Sequence, residues 1–325
     1  MTKHLVIFSL VGCVVACQFI KHNETEDFEQ SIPAYFPTIN YPTDNTPTKA
    51  RIALGKKLFF DPILSEDSTV SCASCHLPEL AFADDEPVSP GVQGRLDTRN
   101  APTLLNVAFN PHFFADGGVL TLEEQALGPI QDENEMNLSL MEATERLSRS
   151  SNYTQMSEQA YGREPSPYVI TRALAAFQRT LISTRTKYDS VVDGKASFTE
   201  LEYLGKQLFF SDSLNCSKCH QPPLFTDFEF HNIGLAEQYE DEGRYKITLK
   251  EEDKGKFKTP TLRNVLRTAP YMHNGSLATI EEVLTHFYKG GRNHRNKSQL
   301  LKSVKMNEQE TQALIAFLNT LSDEK

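Results

Sequence analysis

Two short stretches hold the residues best suited to chemistry: Cys72-Ala73-Ser74-Cys75-His76 and Cys216-Ser217-Lys218-Cys219-His220. Two thiols three positions apart can reach the two vinyl groups of one porphyrin as thioethers, and the histidine that follows then falls under the iron as its axial ligand. This is the attachment pattern of haem c, so two haem c groups are expected. A zinc site would need four converging ligands and would leave the histidine after each pair unexplained.

Cysteine usage fits the same reading. The chain has six cysteines. The N-terminus carries Lys3 and His4, then an apolar run from Leu5 to Ala16, which reads as an export signal over residues 1–16. It ends Val14-Val15-Ala16-Cys17, which resembles a bacterial lipobox with Cys17 as the lipid-bearing first mature residue. Ordinary cleavage nearby, with Cys17 incidental, is the alternative. With Cys13 in the signal and Cys17 lipidated, the remaining four cysteines are the two haem pairs. The expected location is the bacterial periplasm, on a membrane through the lipid anchor.

The formal net charge is −10, with 39% hydrophobic and 10% aromatic residues. That composition supports real cores. The acidity argues against a nucleic-acid partner and suits a small neutral substrate or a cationic protein.

The elements that must position the two haems form an internal repeat. Leu54-Gly-Lys-Lys-Leu-Phe-Phe60 is echoed by Leu204-Gly-Lys-Gln-Leu-Phe-Phe210, each running into its own Cys-x-x-Cys-His. Leu54 with Leu58, and Leu204 with Leu208, have the spacing of a helix with one buried face. Thr121-Leu-Glu-Glu124 and Thr279-Ile-Glu-Glu282 read as helix starts with capping boxes. Ile170, Leu174, Phe177 and Leu181 mark a core helix over Tyr168–Ile182, and Leu314, Phe317, Leu318 and Leu321 a last one. The fold class is mainly α, as two domains of about residues 48–190 and 191–325, with long loops at Pro87–Asn110 and Gln221–Thr261. Residues 17–47, polar and dotted with prolines, read as a tether; for Ile32–Tyr41 an arm packed on the domain surface is the alternative.

Around the first haem motif the chain reads Ala81-Phe-Ala-Asp84, Ser89-Pro-Gly91, Arg99-Asn-Ala-Pro-Thr103, Phe114-Ala-Asp-Gly117, Leu122-Glu-Glu-Gln125 and Asn134-Glu-Met136. Later come Thr259-Pro-Thr-Leu-Arg-Asn264 and Thr268-Ala-Pro-Tyr-Met-His-Asn-Gly275. In order and spacing this resembles the bacterial dihaem cytochrome c peroxidase family, including its MauG-like branch, over nearly all of the chain from Leu54.

The resemblance implies two cytochrome c-like domains and divides the labour between haems. The His76 haem matches the one that meets peroxide and the His220 haem the one where electrons enter. Gln125 and Glu135 match the distal pair over the peroxide site. A carboxylate there can take the proton from one peroxide oxygen and return it to the other, while the amide orients the substrate. Asn100, Thr268 and Pro270 match positions whose oxygens hold a calcium ion between the domains; as isolated residues, Asn100 and Pro270 would merely shape turns. The implied partners are hydrogen peroxide, a small electron-donor protein such as cytochrome c, and a second copy, the family often being dimeric.

Three departures from the family pattern carry information. Many relatives cap the resting peroxidatic haem with a histidine from the Pro87–Asn100 loop; here that position is Val92, so an open iron face, ready without reductive activation, is expected. The usual sixth ligand of the other haem falls at Phe287, with Met272, His286 and Tyr288 nearby as substitutes. A frequent tryptophan is replaced by Ala115 in Phe114-Ala-Asp-Gly117, and the chain has no tryptophan. The leading expectation is a periplasmic peroxidase. The alternatives are a MauG-like oxidase that modifies a partner protein and a dihaem electron carrier without turnover.

Overall fold

The computed structural model describes residues 27–323. The export signal and Cys17 lie outside these residues. In chain order the helices are α1 (Lys49–Phe60), α2 (Leu122–Gln125), α3 (Leu127–Gln131), α4 (Leu140–Ser148), α5 (Ser151–Tyr161) and α6 (Pro167–Gln178). They continue with α7 (Lys187–Val192), α8 (Glu200–Phe209), α9 (Cys216–Cys219), α10 (Tyr245–Thr248), α11 (Ile280–Tyr288) and α12 (Glu308–Asn319). Two-residue strands β1 (Phe230–His231) and β2 (Phe257–Lys258) pair antiparallel, with Phe230 opposite Lys258. The fold is mostly helical, in two cytochrome c-like domains.

Each domain is built on one close helix crossing. α1 lies against α6, and α8 against α12. The crossing residues are glycines because a Cβ on Gly55 would run into the Ala173 carbonyl, and one on Gly205 into the Ala313 carbonyl. One turn on, Phe59 meets Phe177 and Phe209 meets Phe317, both with ring centroids 5.1 Å apart. Two separate cores follow: Leu54, Leu58, Ile130, Leu147 and Ile170 in the first, Tyr188, Phe225, Leu314 and Phe317 in the second.

Both expected helix starts form, but the reciprocal capping box expected at each is made only at Thr279, Thr121 making one half of it. Thr121 Oγ1 accepts from the Glu124 N–H, and Thr279 and Glu282 make a reciprocal capping box. The buried-leucine stripe holds in α1 but not in α8. Leu54 and Leu58 are buried, whereas Leu204 and Leu208 are half-buried and the buried faces are Gly205 and Phe209. The physical reason is the flank: α5 packs on α1, while α8 leaves Leu201 and Tyr203 exposed.

The stretch before α1 is not a free tether where it is described. Phe36, Ile39, Asn45 and Thr48 are buried. Phe36 lies under the Arg263 guanidinium at 4.7 Å, and the Tyr35 hydroxyl donates to Asp189 at 3.0 Å. Arg263 in turn makes a two-pronged pair with Asp189 at 2.7 and 2.8 Å and donates to the Pro223 carbonyl. This arm therefore runs over the place where α7 leads the chain into the second core.

Candidate haem-binding active site

Both Cys-x-x-Cys-His motifs line one continuous cavity of about 770 Å³ between the domains. Cys72–Ser74 is a single 3₁₀ turn and Cys216–Cys219 a single α turn, which sets each pair of thiols on one side of the backbone. The histidines are held alike. His76 Nδ1 meets the Phe82 carbonyl at 3.0 Å and His220 Nδ1 the Phe225 carbonyl at 2.9 Å. A backbone carbonyl at Nδ1 fixes the tautomer and leaves Nε2 as the lone-pair nitrogen, the form an axial ligand needs. Burial pushes both imidazoles below their ordinary pKa, so they stay neutral.

The four thiols are free, and burial pushes them up, Cys72 to about 12 and Cys75, Cys216 and Cys219 to about 11. Among the described residues Cys219, Asp227 and His231 bring ligand atoms within 4.8 Å of one another. That is one ligand short of a structural zinc site and uses a sulfur that a haem thioether would take. Paired thiols, a neutral histidine with Nε2 free and an apolar cavity at each motif fit two haem c groups.

The repeat continues through the walls. Thr103 Oγ1 donates to the Ala81 carbonyl and Thr261 Oγ1 to the Leu224 carbonyl, both at 2.6 Å. Asn106 (φ 62°) opens the 3₁₀ turn Val107–Phe109, as Asn264 (φ 61°) opens Val265–Arg267. Asparagine tolerates this left-handed conformation better than most residues. The bridge Phe113–Val119 is matched by Tyr271–Leu277. By this register Gln125 corresponds to Val283, and both line the cavity. Matching scaffolds thus carry a polar cavity residue in one half and an apolar one in the other.

Glu135 lines the cavity with Gln125. Burial, with Asp97 and Asp132 nearby, pushes its carboxyl up to about 8. The turn that presents it is braced by the Pro87–Asn100 loop: the Val92 N–H donates to the Glu135 carbonyl at 2.8 Å. Val92 itself is fully buried in the first core. A Cβ on Gly91 would collide with the Asn134 carbonyl, so the loop approaches only as glycine.

Asn100, Thr268 and Pro270 also reach the same cavity wall. The Asn100 N–H donates across the domain junction to the His273 carbonyl at 2.9 Å. Its amide nitrogen donates to the Glu86 and Pro87 carbonyls at 3.1 and 3.3 Å, which leaves Oδ1 as the atom available to a cation. Of the substitutes for Phe287, His286 gives its Nε2 to the Ile233 carbonyl at 3.0 Å. Met272 and Tyr288 line the cavity beside Phe287. The Tyr288 hydroxyl is buried near Thr311 without a bonded partner, and burial pushes it up to about 12.

A family model described as Di-haem cytochrome c peroxidase matches residues 49–197, and one described as Cytochrome c matches residues 203–322. The methylamine utilization protein MauG of Methylorubrum extorquens is 38% identical over 291 residues, spanning 88% of this chain and 82% of its own. The chain belongs to the di-haem cytochrome c peroxidase family. Another relative in this family, cytochrome-c peroxidase IdrP1 of a Pseudomonas species, is 34% identical over 324 residues, covering 89% of this chain and 85% of its own. The crystal structure of a MauG-like protein associated with microbial copper homeostasis superposes with a TM-score of 0.87 at 34% identity, covering 91% of this chain and 96% of the other. Peroxidases and MauG both stand among the relatives of this di-haem protein.

Lys258 is a cavity residue that sequence reasoning missed. Lys258 reaches into the cavity and gives its ammonium to the His112 carbonyl at 2.6 Å. It stands directly before the Thr259–Asn264 motif, and in a two-residue strand no alternation signals which side chain turns inward.

Proposed function

We propose that this protein reduces hydrogen peroxide to water with electrons from a small redox protein such as cytochrome c, in the bacterial periplasm, tied to a membrane through Cys17. The observation that carries the reading is the asymmetry of the cavity. Among the described residues, the half served by His76 alone combines a cavity amide, Gln125, with a half-buried carboxyl, Glu135, whose pKa of about 8 suits proton transfer near neutral pH.

Haem c, when bound, supplies the iron chemistry that splits the O–O bond. The chain's own part is the proton. The ionised Glu135 carboxylate accepts a proton from one peroxide oxygen and gives it to the other, which leaves as water. The Gln125 amide holds the substrate by donating to one oxygen and accepting from the other. Val92 buries its side chain in the core and leaves the cavity face beside Glu135 without a competing imidazole. Asn100, Thr268 and Pro270 offer the hard oxygen ligands of a calcium ion at the domain junction.

The test is steady-state peroxide reduction with reduced cytochrome c, together with the ferric spectrum. Cyanide binding and a Soret shift on adding peroxide are expected at one haem. A ferric protein that binds neither is an electron carrier and sinks the proposal. Peroxide consumed only while a partner protein is covalently oxidised would move the protein to the MauG-like reading, which the lack of any tryptophan disfavours.

A further inference from the structure

The register of the repeat exposes a relation across the domain junction. Counting along the matched walls, Asn100 corresponds to Lys258, Thr268 to Asn110, Pro270 to His112 and His273 to Ala115. The structure honours this pairing in its backbone. The Asn100 N–H donates to the His273 carbonyl at 2.9 Å, and the Lys258 N–H donates to the Ala115 carbonyl at 2.8 Å. Each domain thus hands one N–H to the other in the same way. The two junctions are related by the repeat, so what occupies one bears on what occupies the other.

The side chains differ at this point. At one junction Asn100 stands with Thr268 and Pro270 along the cavity wall, a set of neutral oxygens. At the other, Lys258 stands in the place of the asparagine and donates its ammonium to the carbonyl of His112, the counterpart of Pro270, at 2.6 Å. Among the described residues no carboxylate forms a salt bridge with Lys258. The acid whose charge bears on it, Asp116, is paired with Arg99 at 2.7 Å. The ammonium is half-buried, and a charge drawn partly out of water is unfavourable unless its site offers oxygens. A carbonyl in the position of a calcium ligand is such an oxygen.

We infer that the Lys258 ammonium is a built-in cation, filling the junction position that the repeat relates to the Asn100–Thr268–Pro270 site and tying the two domains there without a metal. Burial pushes Lys258 down to about 8, with Asp116 opposing, so it keeps its charge at neutral pH. One junction then depends on an exogenous divalent ion and the other does not. This divergence accounts for a lysine whose stem crosses from β2 in the second domain to the backbone of the first.

The inference leans on the calcium reading of the Asn100 junction, and the experiment separates the two. Holoprotein stripped with a chelator is titrated with calcium chloride by calorimetry and melted with and without calcium, as wild type, Lys258→Asn, Lys258→Met and Asn100→Lys. Lys258→Asn is expected to bind one calcium ion more than wild type and to melt about 5 °C higher with calcium than without. Lys258→Met should gain no calcium site. Asn100→Lys should lose the wild-type site and melt independently of chelator. If wild type binds no calcium but Lys258→Asn binds one, the calcium reading at Asn100 falls and the Lys258 inference stands. Lys258→Asn with no added site overturns the inference, whether or not wild type binds calcium. A changed haem reduction potential in Lys258→Met, with no calcium gained by Lys258→Asn, would reassign the ammonium to a haem propionate and likewise overturn it. Should Lys258→Met fail to fold, the calcium stoichiometry of Lys258→Asn and the chelator response of Asn100→Lys still decide.

Discussion

At neutral pH the Glu135 carboxyl holds a proton, because burial and two neighbouring acids push it up to about 8. As a base it works only when ionised, so peroxide cleavage by the wild type should speed up as pH rises through about 8. Glu135→Gln should lower turnover on the order of 10²-fold and lose that rise, measured as peroxide-dependent oxidation of reduced cytochrome c across pH 6–9. The same shift has a sign for stability. The folded carboxyl keeps its proton to higher pH than the unfolded one, so Glu135 destabilises the fold increasingly as pH climbs from roughly 4 towards 8. Glu135→Gln should therefore flatten the alkaline loss of stability in denaturant titrations. The choice of Glu135 for the proposed role rests in sequence only on the resemblance, since Glu133 and Glu135 look alike there. The distinction lies in the turn, where Val92 clasps the Glu135 carbonyl and Glu133 has no place in the cavity wall.

At the level of elements, the haem turns are positioned by two helix crossings that admit no side chain at Gly55 or Gly205. Gly205→Ala is expected to force α8 from α12 at a cost of about 2 kcal/mol or more. Guanidinium melts that follow the second haem's absorbance would show it. An equal change at Gly162, where a Cβ meets nothing within 4 Å, is not neutral, because its φ of 65° disfavours a side chain; it separates backbone strain from helix collision. A melt of Gly205→Ala that matches the wild type would mean the crossing relaxes freely. The helices themselves were legible from leucine and phenylalanine periodicity and from the threonine caps. The glycine contacts were not, because a glycine within a helix reads as a weak helix former until the partner backbone is known. Nor was the different burial of α1 and α8, because the repeat in sequence stops before α5, the helix that covers only the first copy.

Over the whole molecule, the acidic and prolyl N-terminal stretch reads as a tether, with a packed arm as the alternative over Ile32–Tyr41, and the packed arm is what forms, with Phe36 under the Arg263 guanidinium. Pro-rich composition limits secondary structure but says nothing about a single phenylalanine finding a guanidinium. The domains meet again through charge. Arg99 of the first domain donates to Asp116 at 2.7 Å and to Asp241 of the second at 2.6 and 3.1 Å, with Lys246 also on Asp241. Burial opposes ionisation of Asp241, but Arg99 and Lys246 outweigh it and hold the carboxyl well below the usual carboxylate range. A depressed acid contributes stability above its unfolded pKa and loses it as pH falls. Asp241→Asn should therefore cost about 2 kcal/mol near neutrality, and the gap to wild type should narrow as pH drops below roughly 4. Because Arg99 would keep Asp116, the variant should fold and bind haem while its domains part more easily. Limited proteolysis within Gln221–Thr261 reads that loosening, and inter-haem electron transfer after photoreduction reads its effect on function. Cleavage and transfer rates equal to wild type would mean that the backbone exchanges at Asn100 and Lys258 hold the junction without the ion pair.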